Sequence, residues 1–379
     1  MRPDYGDHEA AMQAYQRDGE ARALALNNRG PIRFAGDGGL HPDITEAYST
    51  YGFYIFESVV DEAELTDLAA DFQDIRSRLP VAEGSALDSS GRPAIGADSE
   101  SVTLFWSKPL ADPLGATAFA NGRHPVKMNE PTPADDAPEQ IVYLVQAPLR
   151  FSDAALRLYG HPTLLAVAAS INGPDFTPFT EALFIKEPGR GASVAWHRDG
   201  TTHWDSPDWD ENTHGFNFMV QLYGSTAANG VWVVPGSHRL NQVDIPAWVE
   251  HAGSDRLPDA VPLICEPGDV VICNRQTVHG SFANTSDDWR VTFNQGFHRR
   301  ASVLGAWGGG LQNKRAQYDQ ARIDQRARVL GYAIAARRQR FPGEAPFEYL
   351  PFAQSPKHYV WSDAARQDLH DYNLLDLGI

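Results

Sequence analysis

The sequence predicts a mostly β fold with flanking helices, an α+β arrangement built on an antiparallel sandwich or barrel at roughly residues 181–300. Three observations predict it. Short segments of two-residue period occur at 182–186, 216–223, 231–234, 270–273 and 290–297, punctuated by Gly, Pro, Asn and Asp. Helical patterning precedes them. It returns afterwards at 312–340, rich in Arg, Ala and Gln, and Pro342-Gly343 stops it.

In chain order, residues 7–27 read as an amphipathic helix, followed by a Gly/Pro-rich connector at 28–40. Phe53-Tyr54-Ile55-Phe56 reads as a short apolar strand. Asp61, with Glu64 three residues on, forms a capping box. Leu65, Leu68, Phe72, Ile75 and Leu79 then follow at spacings of three and four, one buried helical face. Residues 81–140 are dense in Gly, Pro, Asp and Ser and read as a functional rim or lid. The simplest organisation is a single domain over 1–379. It comprises an N-terminal helical extension (1–45), helices and rim loops (46–180), the β core (181–300) and a helical C-terminal extension (301–379).

Composition narrows the function classes. With 32 Lys+Arg against 49 Asp+Glu the net charge is −17, which argues against nucleic acid or an anionic membrane surface as partner and favours a small-molecule substrate. Cys265 and Cys273 are too few for a disulfide framework and read as reduced apolar side chains. The first thirty residues are charged and polar, and no apolar run reaches the roughly 18 residues of a membrane span. A cytoplasmic monomer or homodimer is expected.

The chemistry centres on Trp196-His197-Arg198-Asp199-Gly200. On a strand, residues two apart share a face, so the imidazole and the carboxylate can reach one cation. A third ligand must come from elsewhere, and His279 is the leading candidate. Two His and one carboxylate leave three octahedral positions open, the facial triad that suits Fe(II) and admits a co-substrate beside O2. A bare His-x-Asp pair is common by chance; the order of what surrounds this one carries more weight. Asn229-Gly230 precedes the strand at 231–234, which ends in Pro235-Gly236-Ser237-His238. Pro267-Gly268-Asp269 leads into 270–273, and His279-Gly280-Ser281, Asn284 and Arg290 follow. Positions 290, 292 and 294 share a strand face, so Arg290 can point inward, where a dicarboxylate would need a bidentate partner.

These motifs, in this order, resemble the phytanoyl-CoA dioxygenase family of Fe(II)/2-oxoglutarate oxygenases over roughly residues 180–300, and more faintly at 50–80. The resemblance implies a double-stranded β-helix, or jelly roll, for the 181–300 core. It implies His197, Asp199 and His279 as the iron ligands and catalytic centre. Arg290, helped by Ser281, would hold the distal carboxylate of 2-oxoglutarate. The implied reaction consumes 2-oxoglutarate and O2, releases succinate and CO2, and hydroxylates or otherwise oxidises a small organic molecule. Because the carboxylate ligand is present, hydroxylation is expected rather than halogenation.

Other residues have plainer readings. His238 reads as a cap after a tight turn, and His203, His214 and His298 as rim or strand residues. Asn217 and Gln221 lie on a polar strand face that reads as the inner wall of a barrel, hence as substrate-binding. Trp204 and Trp209 read either as a substrate lid or as loop anchors. The acidic rim of Asp205, Asp208 and Asp210 suggests a neutral or cationic substrate. Two rival readings are a cupin-like divalent-metal isomerase or hydrolase that does not use 2-oxoglutarate, and a non-catalytic β-sandwich binding module. Arg290 and Ser281 argue against the first; the convergence of two His and a carboxylate argues against the second.

Overall fold

The computed structural model describes residues 3–200, 214–309, 315–353 and 358–379. Its strands in chain order are β1 (Arg29–Gly30), β2 (Phe53–Phe56), β3 (Leu104–Ser107), β4 (Ile141–Gln146), β5 (Thr177–Lys186), β6 (Val194–His197), β7 (Gly215–Gln221), β8 (Trp232–Val233), β9 (Val261–Pro262), β10 (Val270–Asn274), β11 (His279–Ser281) and β12 (Arg290–His298). They form an eight-stranded sheet, ordered β1-β2-β10-β7-β12-β5-β4-β3, and a four-stranded sheet, ordered β6-β11-β8-β9. All neighbours are antiparallel except β1 and β2.

Strand alternation sorts the side chains into layers. Phe216, Phe218 and Val220 of β7, with Val270, Ile272, Val291, Phe293, Leu183 and Ile185, face outward into the main core. The helices Pro42–Tyr51, Glu62–Ser77, Asp153–Tyr159, Pro162–Asn172 and Gln320–Arg340 bury that face. The opposite face packs on the small sheet. Phe53, Ile55, Met219, Val271 and Cys273 there meet Val231, Val233, Val261 and Leu263. Two sheets packed face to face with helices outside make the jelly roll.

The small sheet's outer face is covered by the Glu9–Leu24 helix, with Met12 and Tyr15 against Trp232 and Phe282. Tyr15 stacks on Trp232 at 4.3 Å between ring centroids. The approach is so close that a Cβ on Gly19 would lie 2.3 Å from the Trp232 ring. Glycine is needed here for space.

Several elements depart from the sequence reading. The rim segment 81–140 contains β3, and β4 follows directly, so the large sheet extends well before residue 181. Strand β3 is recognisable only through its pairing with β4, from Leu104↔Val145 to Ser107↔Ile141, which no local pattern in 81–140 reveals. Only half of the expected capping box forms. Asp61 Oδ1 accepts from the Glu64 amide at 2.9 Å, but the Glu64 carboxylate accepts two N–H donors from Arg337 instead. The late helix starts at Gln320 with Asp319 as its cap, because 316–317 pairs with 307–308 as a short two-stranded sheet. Cys265 and Cys273 are free and buried. No helix among the described residues is long and apolar enough to cross a membrane.

Candidate metal centre and its cavity

His197 ends β6 and His279 begins β11; the two are register partners in the small sheet. Their rings lie side by side, 4.2 Å between centroids. Asp199 sits just past the end of β6, and its amide donates to the Arg275 carbonyl at 2.9 Å. Its carboxylate thereby reaches both imidazoles: His197 Nε2 is 3.6 Å from Oδ1 and His279 Nε2 is 3.9 Å from Oδ2. One ligand atom from each residue falls within 4.8 Å of the other two.

The hydrogen bonds fix which nitrogen is available. His197 Nδ1 lies 2.8 Å from the Ala195 carbonyl, and His279 Nδ1 lies 2.9 Å from the Thr277 carbonyl. A carbonyl can only accept, so each Nδ1 carries the proton and each Nε2 presents its lone pair toward Asp199. Burial, reinforced by the neighbouring His279, brings the His197 pKa down to about 4, which keeps that imidazole neutral and able to ligate. For Asp199, burial acts to raise the pKa, but the His279 and His197 imidazoles outweigh it and hold the carboxyl well below its usual range. Asn217 Nδ2 donates to Asp199 Oδ2 at 2.5 Å, orienting the carboxylate. Two Nε2 lone pairs and an oriented carboxylate fit a divalent first-row metal with open positions.

The motifs around the triad act as scaffold. Gly236 adopts a left-handed turn (φ 76°), and Ser237 Oγ accepts from the Val278 amide while donating to the Val234 carbonyl. That ties the turn to the residue before His279. Asn284 Nδ2 donates to the carbonyls of Lys186, Glu187 and Asp288, closing the loop before Arg290. His238 Nε2 bonds the Ser49 carbonyl. His214 meets Asn172 and Tyr48, and His298 meets Arg275. None of these three histidines joins the triad.

A cavity between the sheets contains the triad together with Asn217, Ser281, Arg290, Thr292 and Asn294. The inward face of β12 thus carries Arg290, as the two-residue period predicts. Arg290 is 3% exposed, its Nε has no hydrogen-bond partner, and it forms no ion pair among the described residues. Burial lowers its pKa to about 10, which leaves it charged at neutral pH. Gln221 also points inward, but Thr292 Oγ1 donates to its Oε1 and its Nε2 donates to the Met219 carbonyl. Trp204 and Trp209, with His203 and the acidic 205–210 rim, lie outside the described residues.

Sequence patterning missed Arg123, His124 and Arg275, all of which line the cavity. Arg123 and His124 come from an irregular stretch in which Ala120 and Asn121 have positive φ, where no periodicity exists to read. Arg275 lies just past the end of β10, where the strand alternation no longer applies. The segment 373–379 also closes on the cavity, through Asn373, Asp376, Gly378 and Ile379.

A family profile spans the triad and Arg290. The phytanoyl-CoA dioxygenase (PhyH) family profile matches residues 48–292, more than half of the chain. Phytanoyl-CoA dioxygenase 1 of Oryza sativa subsp. japonica is 30% identical over 115 residues, 28% of this chain and 39% of that protein. Dioxygenase cdmD of Talaromyces verruculosus is 32% identical over 138 residues, 34% of this chain and 42% of that protein. The alignments thus span about four-tenths of the length of these relatives. Among solved structures, EctD from S. alaskensis with 2-oxoglutarate and 5-hydroxyectoine superposes with a TM-score of 0.49 at 18% identity, covering 74% of this chain and 82% of that one. AviO1 from Streptomyces viridochromogenes Tue57 gives 0.47 at 22% identity, covering 68% and 93%. With the profile running from the second strand's approach through both halves of the metal centre to Arg290, the chain belongs to the phytanoyl-CoA dioxygenase family.

Proposed function

We propose that the protein is an Fe(II)- and 2-oxoglutarate-dependent dioxygenase acting on a small organic molecule. One observation carries the reading: the same cavity holds a His-Asp-His ligand set and a buried arginine with no anionic partner among the described residues. A buried guanidinium without a counter-ion costs several kcal/mol, so the site is built for an anion that arrives with the ligand. A dicarboxylate whose far end meets Arg290 and whose near end meets the metal fits both features. Ser281, 2% exposed and on the cavity wall, stands ready to bond the same carboxylate.

When bound, iron supplies the activation of O2; the protein supplies position, orientation and exclusion of water. His197, Asp199 and His279 would hold the metal by three neighbouring positions, leaving the others for co-substrate and O2. Arg290 would orient 2-oxoglutarate by a charge-assisted pair. Phe105, Phe119, Phe179 and Phe184 line the cavity, and apolar walls of this kind would help exclude water from the reacting region. The overall stoichiometry balances: substrate C–H, 2-oxoglutarate and O2 give substrate C–OH, succinate and CO2. The reduced, buried cysteines and acidic surface favour a cytoplasmic enzyme.

The test is succinate formation from 2-oxoglutarate by the iron-loaded protein under air. Succinate should appear with wild-type protein and fall to background for Asp199→Ala and His279→Ala, each of which should also lose its iron. Full iron occupancy and turnover in either variant would sink the assignment, and metal binding without any succinate would favour a 2-oxoglutarate-independent enzyme.

A further inference from the structure

Besides the triad, Arg290 and Ser281, the cavity is lined by a second cluster of polar side chains to which the reading above assigns no role. His124 is 0% exposed, and neither ring nitrogen has a hydrogen-bond partner among the described residues. Its ring packs on His197, 4.2 Å between centroids, so it stands beside the reacting position. Arg123, next in the chain, lines the same cavity, and its Nε is likewise without a partner. Among the described residues its one ion-pair partner is Asp199 at 3.9 Å, beyond hydrogen-bond reach. Once Asp199 ligates a metal, that charge is drawn to the metal and Arg123 is left further uncompensated. Arg275, 3% exposed, puts a second guanidinium on this wall. Its Nη1 lies 2.8 Å from His298 Nε2 and its Cζ sits 4.0 Å from the Phe179 ring centroid, while its Nε has no partner among the described residues.

A buried polar group left without a partner costs about 1–3 kcal/mol, and a charged one more. Such groups persist where a ligand completes them. The complement to two guanidinium groups and an imidazole N–H is an anion with several acceptor oxygens. Next to this cluster the wall turns aromatic: Phe105 packs edge-on against Phe119 at 6.1 Å and Tyr143 at 6.4 Å. The residues of the acidic rim at 205–210 are not described, and the described wall carries the opposite charge.

We propose that Arg123 and His124, with Arg275 beside them, form the substrate-recognition subsite, and that the substrate is an organic acid. It presents a carboxylate to this cluster and lays an apolar body of aromatic width against Phe105, Phe119 and Tyr143. The inference rests on the oxygenase reading for the identity of the reacting position, but its charge preference is testable by binding alone.

The experiment uses the full chain loaded with Co(II) and N-oxalylglycine, inert stand-ins for iron and 2-oxoglutarate. Phenylacetate, 3-phenylpropionate and 4-phenylbutyrate are titrated calorimetrically, each against its carboxamide. The carboxylates should bind at least about tenfold tighter than their amides. Arg123→Gln should collapse that ratio toward one, Arg123→Lys should preserve most of it, and His124→Phe, which keeps the packing on His197, should weaken carboxylate binding about tenfold with Co(II) still bound. Amides binding as well as acids, an unchanged ratio in Arg123→Gln, or no binding by any acid of the set would overturn the proposal. Loading with Co(II) and N-oxalylglycine is titrated separately. Failed loading with a retained preference for acids in the unloaded protein would sink the oxygenase reading and leave this subsite standing.

Discussion

His197 and His279 show how much of a candidate metal site is decided one bond away from its ligand atoms. Each imidazole is locked by an Nδ1–H to a carbonyl two residues back in its own chain, Ala195 and Thr277. Rotation and tautomer are therefore set before any cation arrives. Asn217 does the same for Asp199 through a 2.5 Å bond. Asn217→Ala should keep the ligand set yet lower metal affinity about 10–100-fold, the usual effect of removing such a partner; competition with a chelator of known affinity reads it, and an unchanged affinity would assign Asn217 to substrate contact alone. At Arg290 charge is what matters. Arg290→Gln should raise the apparent 2-oxoglutarate requirement by at least roughly 30-fold, since truncating one partner of a buried charge pair costs about 2–5 kcal/mol. Iron stoichiometry should stay at the wild-type value, and an unchanged 2-oxoglutarate dependence would remove Arg290 from the site. His197, Asp199, His279 and Arg290 were legible in the sequence because strand period and motif order announce them. Arg123 and His124 were not, because a residue in an irregular loop leaves no periodic trace and its burial depends on what folds over it.

At the scale of elements, the turn at 235–238 determines where β11 begins. Ser237 Oγ bridges the Val278 amide and the Val234 carbonyl, with 2% of Ser237 exposed. Ser237→Ala leaves a buried N–H with no acceptor, which costs about 1–3 kcal/mol, and should weaken metal binding as His279 loses its anchor. Urea unfolding of the metal-free protein measures the first effect. A loss under about 0.5 kcal/mol would mean that water or a shifted strand replaces the bond. The Glu9–Leu24 helix gives a second case. Gly19→Leu should destabilise by about 1–3 kcal/mol, because overpacking against buried Trp232 forces helix and sheet apart. A separate iron titration should show metal binding retained, since the contact lies on the face of the small sheet remote from the cavity. Elements with strong local pattern, such as the helix at 62–77 and strands β7, β10 and β12, could be read from sequence. Strand β3 could not, because an edge strand in a Gly- and Pro-rich region is defined by its distant partner β4. Strand β4, Ile-Val-Tyr-Leu-Val-Gln, carries a local apolar run that the reading of 46–180 as helices and rim loops passes over.

For the molecule as a whole, the distal segment is stitched into the barrel by charge. Arg326, fully buried, donates to Glu181 on β5 and to Asp376 at 2.7 and 3.0 Å, and Arg322 donates to the carbonyls of Leu374 and Asp376. Removing Arg326 strands two buried carboxylates, so Arg326→Met should destabilise by about 3–5 kcal/mol and raise hydrogen exchange across 372–379, where cavity wall and tail coincide. The barrel, its helical cover and this tail serve one claim, that a single cavity brings a metal and a dicarboxylate together. Anaerobic titration of 2-oxoglutarate into the Fe(II)-loaded protein, followed by the visible charge-transfer absorption of a metal-chelated 2-oxo acid, tests that claim most directly. A saturable band at one iron per chain is expected, absent in Asp199→Ala and reached only at much higher 2-oxoglutarate in Arg290→Gln. Iron bound at the triad with no such band at any 2-oxoglutarate concentration would contradict it.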